Sequence, residues 1–204
     1  MGIAMRLVLA SLLLLGVTAQ AATVTFEDIT PTGACGLAPV PCQDSITTTE
    51  GFVFSHTGSS GDYQTVHVIS DGPDGNFLET SFPPESGASL RIEHESNQAF
   101  DVQSLDTRAW DNSVYVSGYD QDDNLIVSEE FVFESSSWVT VEFDDAWNSV
   151  YSIELSEYFY CSFGCAWVPN AIDNFSATVV PIPAAVWLFG SGLIGLIGVA
   201  RRKA

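Results

Sequence analysis

The chain has 204 residues, with 26 acidic side chains against six basic ones and a formal charge of −20 at pH 7. A field of that sign repels nucleic acid and anionic lipid and draws in cations, so nucleic-acid binding is excluded as a function. The acidity is concentrated: every Asp and Glu lies within residues 22–178, where Arg91 and Arg108 are the basic side chains and the formal charge is −24. The positive mean hydropathy comes from the two ends and says nothing of the body between them.

Residues 1–21 read as a secretory signal peptide, a short N-terminal helix that signal peptidase removes. Arg6 precedes an apolar run from Leu7 to Val17, and Ala19-Gln20-Ala21 gives the small-x-small site, with cleavage expected after Ala21. The run is shorter than the roughly 20 residues a bilayer span needs.

Residues 22–178 have the size of one domain with a real core. Their pattern is short alternating or β-branched runs bounded by Gly, Pro, Asp, Asn and Ser. Strands are expected at Thr23 to Phe26, Gly51 to Ser55, Thr65 to Ile69, Ala88 to Glu95 and Phe100 to Ala109, then at Val114 to Tyr119, Leu125 to Val132, Trp138 to Phe143, Val150 to Leu155 and Ile172 to Thr178. In the run from Ser89 to His94, Leu90 and Ile92 point one way and Arg91 and Glu93 the other, as in a half-buried antiparallel strand. Turns fall at Asp71-Gly72-Pro73-Asp74-Gly75-Asn76 and at Asp120-Gln121-Asp122-Asp123-Asn124. So many short strands in one domain predict an all-β fold, a single jelly-roll-like two-sheet sandwich.

The four cysteines stand as Cys35-x6-Cys42 and Cys161-x3-Cys165, an even count in an exported chain, which favours disulfides. Three pairings are possible, and the local ones, Cys35 with Cys42 and Cys161 with Cys165, are preferred. Zinc is disfavoured, since His56, His67 and His94 do not sit at ligand spacing. The Asp71 turn is no calcium loop, because Phe82 stands where the bidentate Glu would be.

Chemistry is sparse. Glu93 with Glu95, or Glu129 with Glu130, could be named as carboxylate pairs, but no spacing shows the raised pKa and fixed separation that glycoside hydrolysis requires. Glu93 and Glu95 read as a solvated strand face. No Gly-x-Ser-x-Gly elbow occurs, and no catalytic residue is expected. Trp110, Trp138, Trp147 and Tyr158-Phe159-Tyr160 offer ring faces to sugars. Trp110 and Trp138 fall at strand positions, where most such rings are core, which leaves Tyr158 and Tyr160 as the expected glycan-stacking pair.

Phe26-Glu27-Asp28, Gly75-Asn76-Phe77-Leu78 and Ile172-Asp173-Asn174-Phe175 resemble short segments of jelly-roll carbohydrate-binding modules. The resemblance implies neighbouring first and last strands and a structural calcium held by Glu27 and Asp173, with Asp28 and backbone carbonyls completing the oxygen shell.

The C-terminal segment, residues 179–204, begins with Val180-Pro181-Ile182-Pro183. An uncharged span over 184–200 follows, broken by Gly190, Gly192, Gly195 and Gly198, and the basic end is Arg201-Arg202-Lys203. The span reads as a short transmembrane helix whose basic end stays in the cytoplasm. Pro181 and Pro183 cannot extend that helix and present an extended backbone outside the bilayer. Together these parts resemble the PEP-CTERM sorting signal, in its Val-Pro-Leu-Pro-Ala variant, with Ile182 where the commonest motif has Glu. The resemblance implies a Gram-negative host, transient anchoring in the inner membrane, removal of the tail by an exosortase near Val180 to Pro183, and release to the cell surface or extracellular matrix. The expectation is a non-enzymatic protein of the exopolysaccharide or biofilm matrix that binds polysaccharide. A secreted glycan-processing enzyme and a purely structural matrix protein are the alternatives.

Overall fold

The computed structural model describes residues 21–30, 45–57, 65–70, 75–81, 89–108, 113–132, 138–157 and 170–180. The expected signal peptide up to Gln20, the four cysteines, Trp110, Tyr158, Tyr160, Trp167 and the segment from Pro181 onward lie outside them. Among the described residues no helix is long and apolar enough to cross a membrane.

The described chain forms twelve strands: β1 (Ala21–Val24), β2 (Ser45–Thr47), β3 (Phe52–Thr57), β4 (Thr65–Ser70), β5 (Asn76–Ser81), β6 (Ser89–His94), β7 (Phe100–Arg108), β8 (Ser113–Tyr119), β9 (Leu125–Val132), β10 (Val139–Glu142), β11 (Ser152–Glu157) and β12 (Asn170–Val179). They make two antiparallel six-stranded sheets. The first has the order β10-β7-β12-β5-β4, with β1 also paired to β12; the second has the order β2-β3-β6-β11-β8-β9. This is the jelly-roll type of sandwich that the strand pattern predicts.

Ten of the strands fall on expected runs, with ends shifted by a residue or two. β2 and β5 do not. β2 is three residues long, too short to show a period. β5 starts inside the stretch read as a turn, and its outward-facing Phe77 is buried, so the inside-outside alternation that marks a strand is erased.

Alternation builds the core elsewhere. Phe52 and Phe54 of β3, Leu90 and Ile92 of β6, Ile153 and Leu155 of β11 and Val114 and Val116 of β8 face inward from one sheet. Phe100, Val102, Leu105, Leu78, Ile172 and Phe175 meet them from the other. Phe175 lies at the hub. Its ring is edge-on to Phe52, Phe54 and Phe100, at centroid distances of 5.2, 5.9 and 6.4 Å, the geometry that aligns a positive ring edge with a negative face. Trp147, on the short 3-10 turn Asp145–Trp147, is buried against Phe143 at 4.8 Å.

The outer face of the second sheet carries an ion network. Arg91 of β6 reaches Glu93, Glu154 of β11 and Asp123 of the β8–β9 turn, and its guanidinium lies over the Tyr119 ring. Burial works against the Arg91 charge, but the three carboxylates outweigh it and raise its pKa. Glu93 is therefore an ion-pair member, not a purely solvated acid, and Glu95 lies beyond the end of β6. The Asp120 turn behaves as the sequence predicts: Asp120 accepts the side-chain amide and backbone N–H of Asn124 and the N–H of Asp122. Those bonds, led by that of the Asn124 side chain, hold its carboxyl below the usual range.

Candidate functional site

The central strand β12 has two neighbours on one side. Its first residues pair with β5, through Asn170, Ala171 and Ile172, and its later ones, Phe175 to Thr178, pair with β1. Between the two neighbours lies a seam, and at the seam β12 is irregular. Against β7, Asp173 pairs with Asp106 and Ser176 with Ser104, a local bulge in β12 that an opposite shift undoes at the next pair, Ala177 with Val102. Asn174 takes the left-handed conformation, φ 47°, which Asn tolerates better than most residues. The bulge lets Ile172 and Phe175 both face the core although three positions separate them, and it turns Asp173 and Asn174 outward together.

Glu27 closes the seam from the other side. After β1 the chain turns at Phe26, whose N-terminal dihedral is φ 58° and whose ring is buried edge-on against Phe54 at 5.1 Å. A buried aromatic residue with positive φ is uncommon and strained; core packing of the ring offsets the strain. The turn delivers the Glu27 carboxylate to the first N–H of β5, that of Asn76, at 2.8 Å. Asn76 Nδ2 donates in return to the carbonyls of Phe26 and Ile29. Gly75, at φ 83°, leaves open the space that the Glu27 carboxylate occupies.

Across the outer face of this sheet runs the row Thr140–Asp106–Asp173, one residue from each of β10, β7 and β12 in direct register. Asp106 is fixed on both oxygens, by the Thr140 hydroxyl at 2.6 Å and by Asn174 Nδ2 at 2.7 Å. Asp173 accepts the backbone N–H of Asn174 at 2.7 Å. Burial pushes the Asp173 carboxyl up to about 6, and the negative charges of Asp106 and Glu27 push the same way against the Asn174 N–H. A raised folded-state value means that its contribution to stability is complete below about pH 4. It is lost as the pH rises through about 6. The ionised Asp173 is thus held at a cost.

Among the described residues Asp106, Asp173, Asn174 and Trp138 line a cleft of about 200 Å³. Trp138 precedes β10 and stands half-buried on the outer side of the sheet, edge-on to Phe77 at 5.5 Å, with the Arg108 guanidinium 5.3 Å from its centroid. This corrects the expectation of a core position: Trp138 falls on the same side of the strand as the outward Thr140, while Val141 takes the inward side. Trp147 is the tryptophan that fills the core.

Of the residues expected to hold calcium, Glu27 and Asp173 are brought within electrostatic range of each other, as the resemblance implies, and Asp28 is exposed. Among the described residues no group of three or more His, Cys, Asp or Glu is arranged to hold a metal ion. Asp106 is the site residue that the sequence does not announce; Trp138 is expected in the core, and Gly75 and Asn174 stand in the jelly-roll-like segments without an assigned role.

No family model and no curated protein sequence matches the chain. Its fold is similar to that of a DUF4465 family protein from Bacteroides caccae, at 10% identity and a TM-score of 0.55, over 79% of this chain and 100% of that one. A family 29 carbohydrate-binding module matches at 12% identity and a TM-score of 0.47, over 79% and 90%. The CBM22-1 xylan-binding domain from Paenibacillus barcinonensis Xyn10C matches at 15% and 0.39, over 80% and 97%. The first of these likenesses agrees with the sandwich fold, and function rests on this chain's own residues.

Proposed function

We propose that this is a non-enzymatic, exported protein whose sandwich domain holds a polysaccharide strand in the Trp138 cleft. The observation that carries the reading is the joining, in one hollow, of an aromatic wall with fixed hydrogen-bonding groups, Asp106, Asp173 and Asn174. A sugar ring is apolar on its C–H face and rimmed by hydroxyls, so it matches such a hollow: the face lies on the indole and the hydroxyls donate to the carboxylates. Both Asp106 oxygens are already positioned by Thr140 and Asn174, so little ordering remains to be done on binding.

Affinity electrophoresis of the full chain in gels containing single polysaccharides tests the reading. At least one glycan is expected to retard it, and Trp138→Ala is expected to weaken that binding about tenfold or more. Tyr158→Ala and Tyr160→Ala in the same gels separate the loop pair from the cleft. Retardation unaffected by Trp138→Ala removes the cleft from the function.

The remainder of the proposal concerns the address. Residues 180–203 resemble the PEP-CTERM signal, which supports export by signal peptidase, a transient stay at the inner membrane, exosortase processing and delivery to an exopolysaccharide or biofilm matrix. Intact-mass measurement of the protein from an exosortase-bearing host is expected to show a C-terminus within 180–183; a mature chain that keeps Arg201 to Lys203 sinks the sorting step.

A further inference from the structure

We propose that the Trp138 cleft selects a glycan bearing free amino groups, with the ammonium of a hexosamine unit between Asp106 and Asp173 and its ring against Trp138. The inference rests on the glycan-binding role proposed for the same cleft, and it names the class of sugar.

The first argument is the local balance of charge. Residues 22–178 contain two basic side chains. Arg91 is engaged by Glu93, Asp123 and Glu154 on the outer face of the other sheet. Arg108 lies over the Phe77 and Trp138 rings, at 5.4 and 5.3 Å. Among the described residues the charges that act on Asp173 are the carboxylates of Asp106 from β7 and Glu27 from the turn after β1, so negative charge prevails at the seam. A uronic acid or sulfated sugar would add to the repulsion, and a neutral sugar would leave it in place. An ammonium relieves it.

Geometry supplies the second argument. Asp106 is locked by Thr140 and Asn174, while Asp173 spends one oxygen on the Asn174 N–H. Among the described residues no donor reaches the other Asp173 oxygen. An ammonium has three donors and can bridge two acceptors on neighbouring strands. The cleft, about 200 Å³, is smaller than a pocket for a drug-sized ligand and suits a single ring of a chain that runs on over the sheet. Backbone cost points the same way: Phe26 and Asn174, both at positive φ, flank Glu27 and Asp173 and set these carboxylates where they repel. The Asp173 carboxyl, raised to about 6 by burial and then by Asp106 and Glu27, gives the site a pH dependence. A cation binds the ionised form, and because the sugar amine loses its own proton near neutrality, affinity is greatest between the two titrations.

Calorimetric titration of the full chain, purified in mild detergent, with glucosamine oligomers and with N-acetylated oligomers of equal length tests the inference. At about pH 6 to 7, where carboxylate and ammonium coexist, the amine oligomers are expected to bind about tenfold more tightly or better, with that preference shrinking at pH 4 and at pH 9. Asp106→Asn and Asp173→Asn are expected to abolish the preference while near-ultraviolet circular dichroism stays that of the parent, and Trp138→Ala is expected to weaken both ligands. Equal affinity for the two oligomers overturns the amine inference and leaves the glycan role standing. No binding of either, or of any polysaccharide, removes both. Amine binding that ignores Trp138→Ala and is matched by polylysine is attraction to an acidic surface and overturns the inference. So does a calcium-dependent rise in melting temperature that is lost in Asp173→Asn, since the carboxylates would then hold the structural calcium that the sequence resemblance implies.

Discussion

Replacing Phe175 with Ala is expected to lower the stability of the domain by about 3–5 kcal/mol, the range for emptying a large aromatic site in a core. The ring is fully buried and edge-on to Phe52, Phe54 and Phe100, so its loss removes both apolar burial and three oriented ring contacts. Collapse into the void is hindered because the three partners are anchored in two different sheets. For a domain of this size the change corresponds to a fall in melting temperature on the order of 10 °C, read by calorimetry or circular dichroism. Phe175→Leu, which keeps most of the volume, is expected to cost less than half as much. Equal melting temperatures for parent and Phe175→Ala would show that the hub is not packed as described.

Gly75→Ala is expected to destabilise the domain by about 2–5 kcal/mol: roughly 1–2 for a side chain in the left-handed region and about 1–3 for disturbing a charged acceptor. The new methyl would enter the volume of the Glu27 carboxylate, 3.1 Å from its Cδ. Glu27 would have to leave the Asn76 N–H that it accepts at 2.8 Å, and the seam between β1 and β5 would open. A double-mutant cycle separates the two costs. In a Glu27→Ala background, Gly75→Ala should cost only the backbone part, whereas an undiminished cost would show that the carboxylate plays no part. Because Glu27 also bears on Asp173, the glycan affinity of Gly75→Ala is expected to fall along with its stability.

How much of this could be read from residues alone differs from element to element. β9 was visible to the residue, since Leu125 to Val132 is bounded by a polar turn and rich in β-formers. Arg91 and Glu93 were correctly placed on the outward side of β6, but their partners Asp123 and Glu154 come from elements distant in sequence. The joining of Glu27 with Asp173 followed from the idea that first and last strands adjoin, and β1 does pair with β12. Asp106 was invisible for a different reason: it belongs to the site only because β7 lies beside β12 in one register, and strand order is not a local property of the sequence. The Ile172-Asp173-Asn174-Phe175 bulge breaks the period of two, so a rule built on that period cannot say which side Asp173 and Asn174 take. Trp138 was misjudged because a tryptophan beside a strand usually finds a core, and here the rings of Phe77 and Trp138 and the Arg108 side chain build a small cluster on the outside of the sheet.

The place of β12 in the first sheet bears on when the protein can fold. Among the described strands it is the last in sequence, yet β1, β5 and β7 all pair with it, and the N–H of Val180 still bonds to the carbonyl of Ala99. The first sheet therefore cannot close until β12 is present, and the contacts that close it, such as β1 with β12, are among the most distant in sequence. A growing chain with its central strand missing has an open gap where three partners should meet.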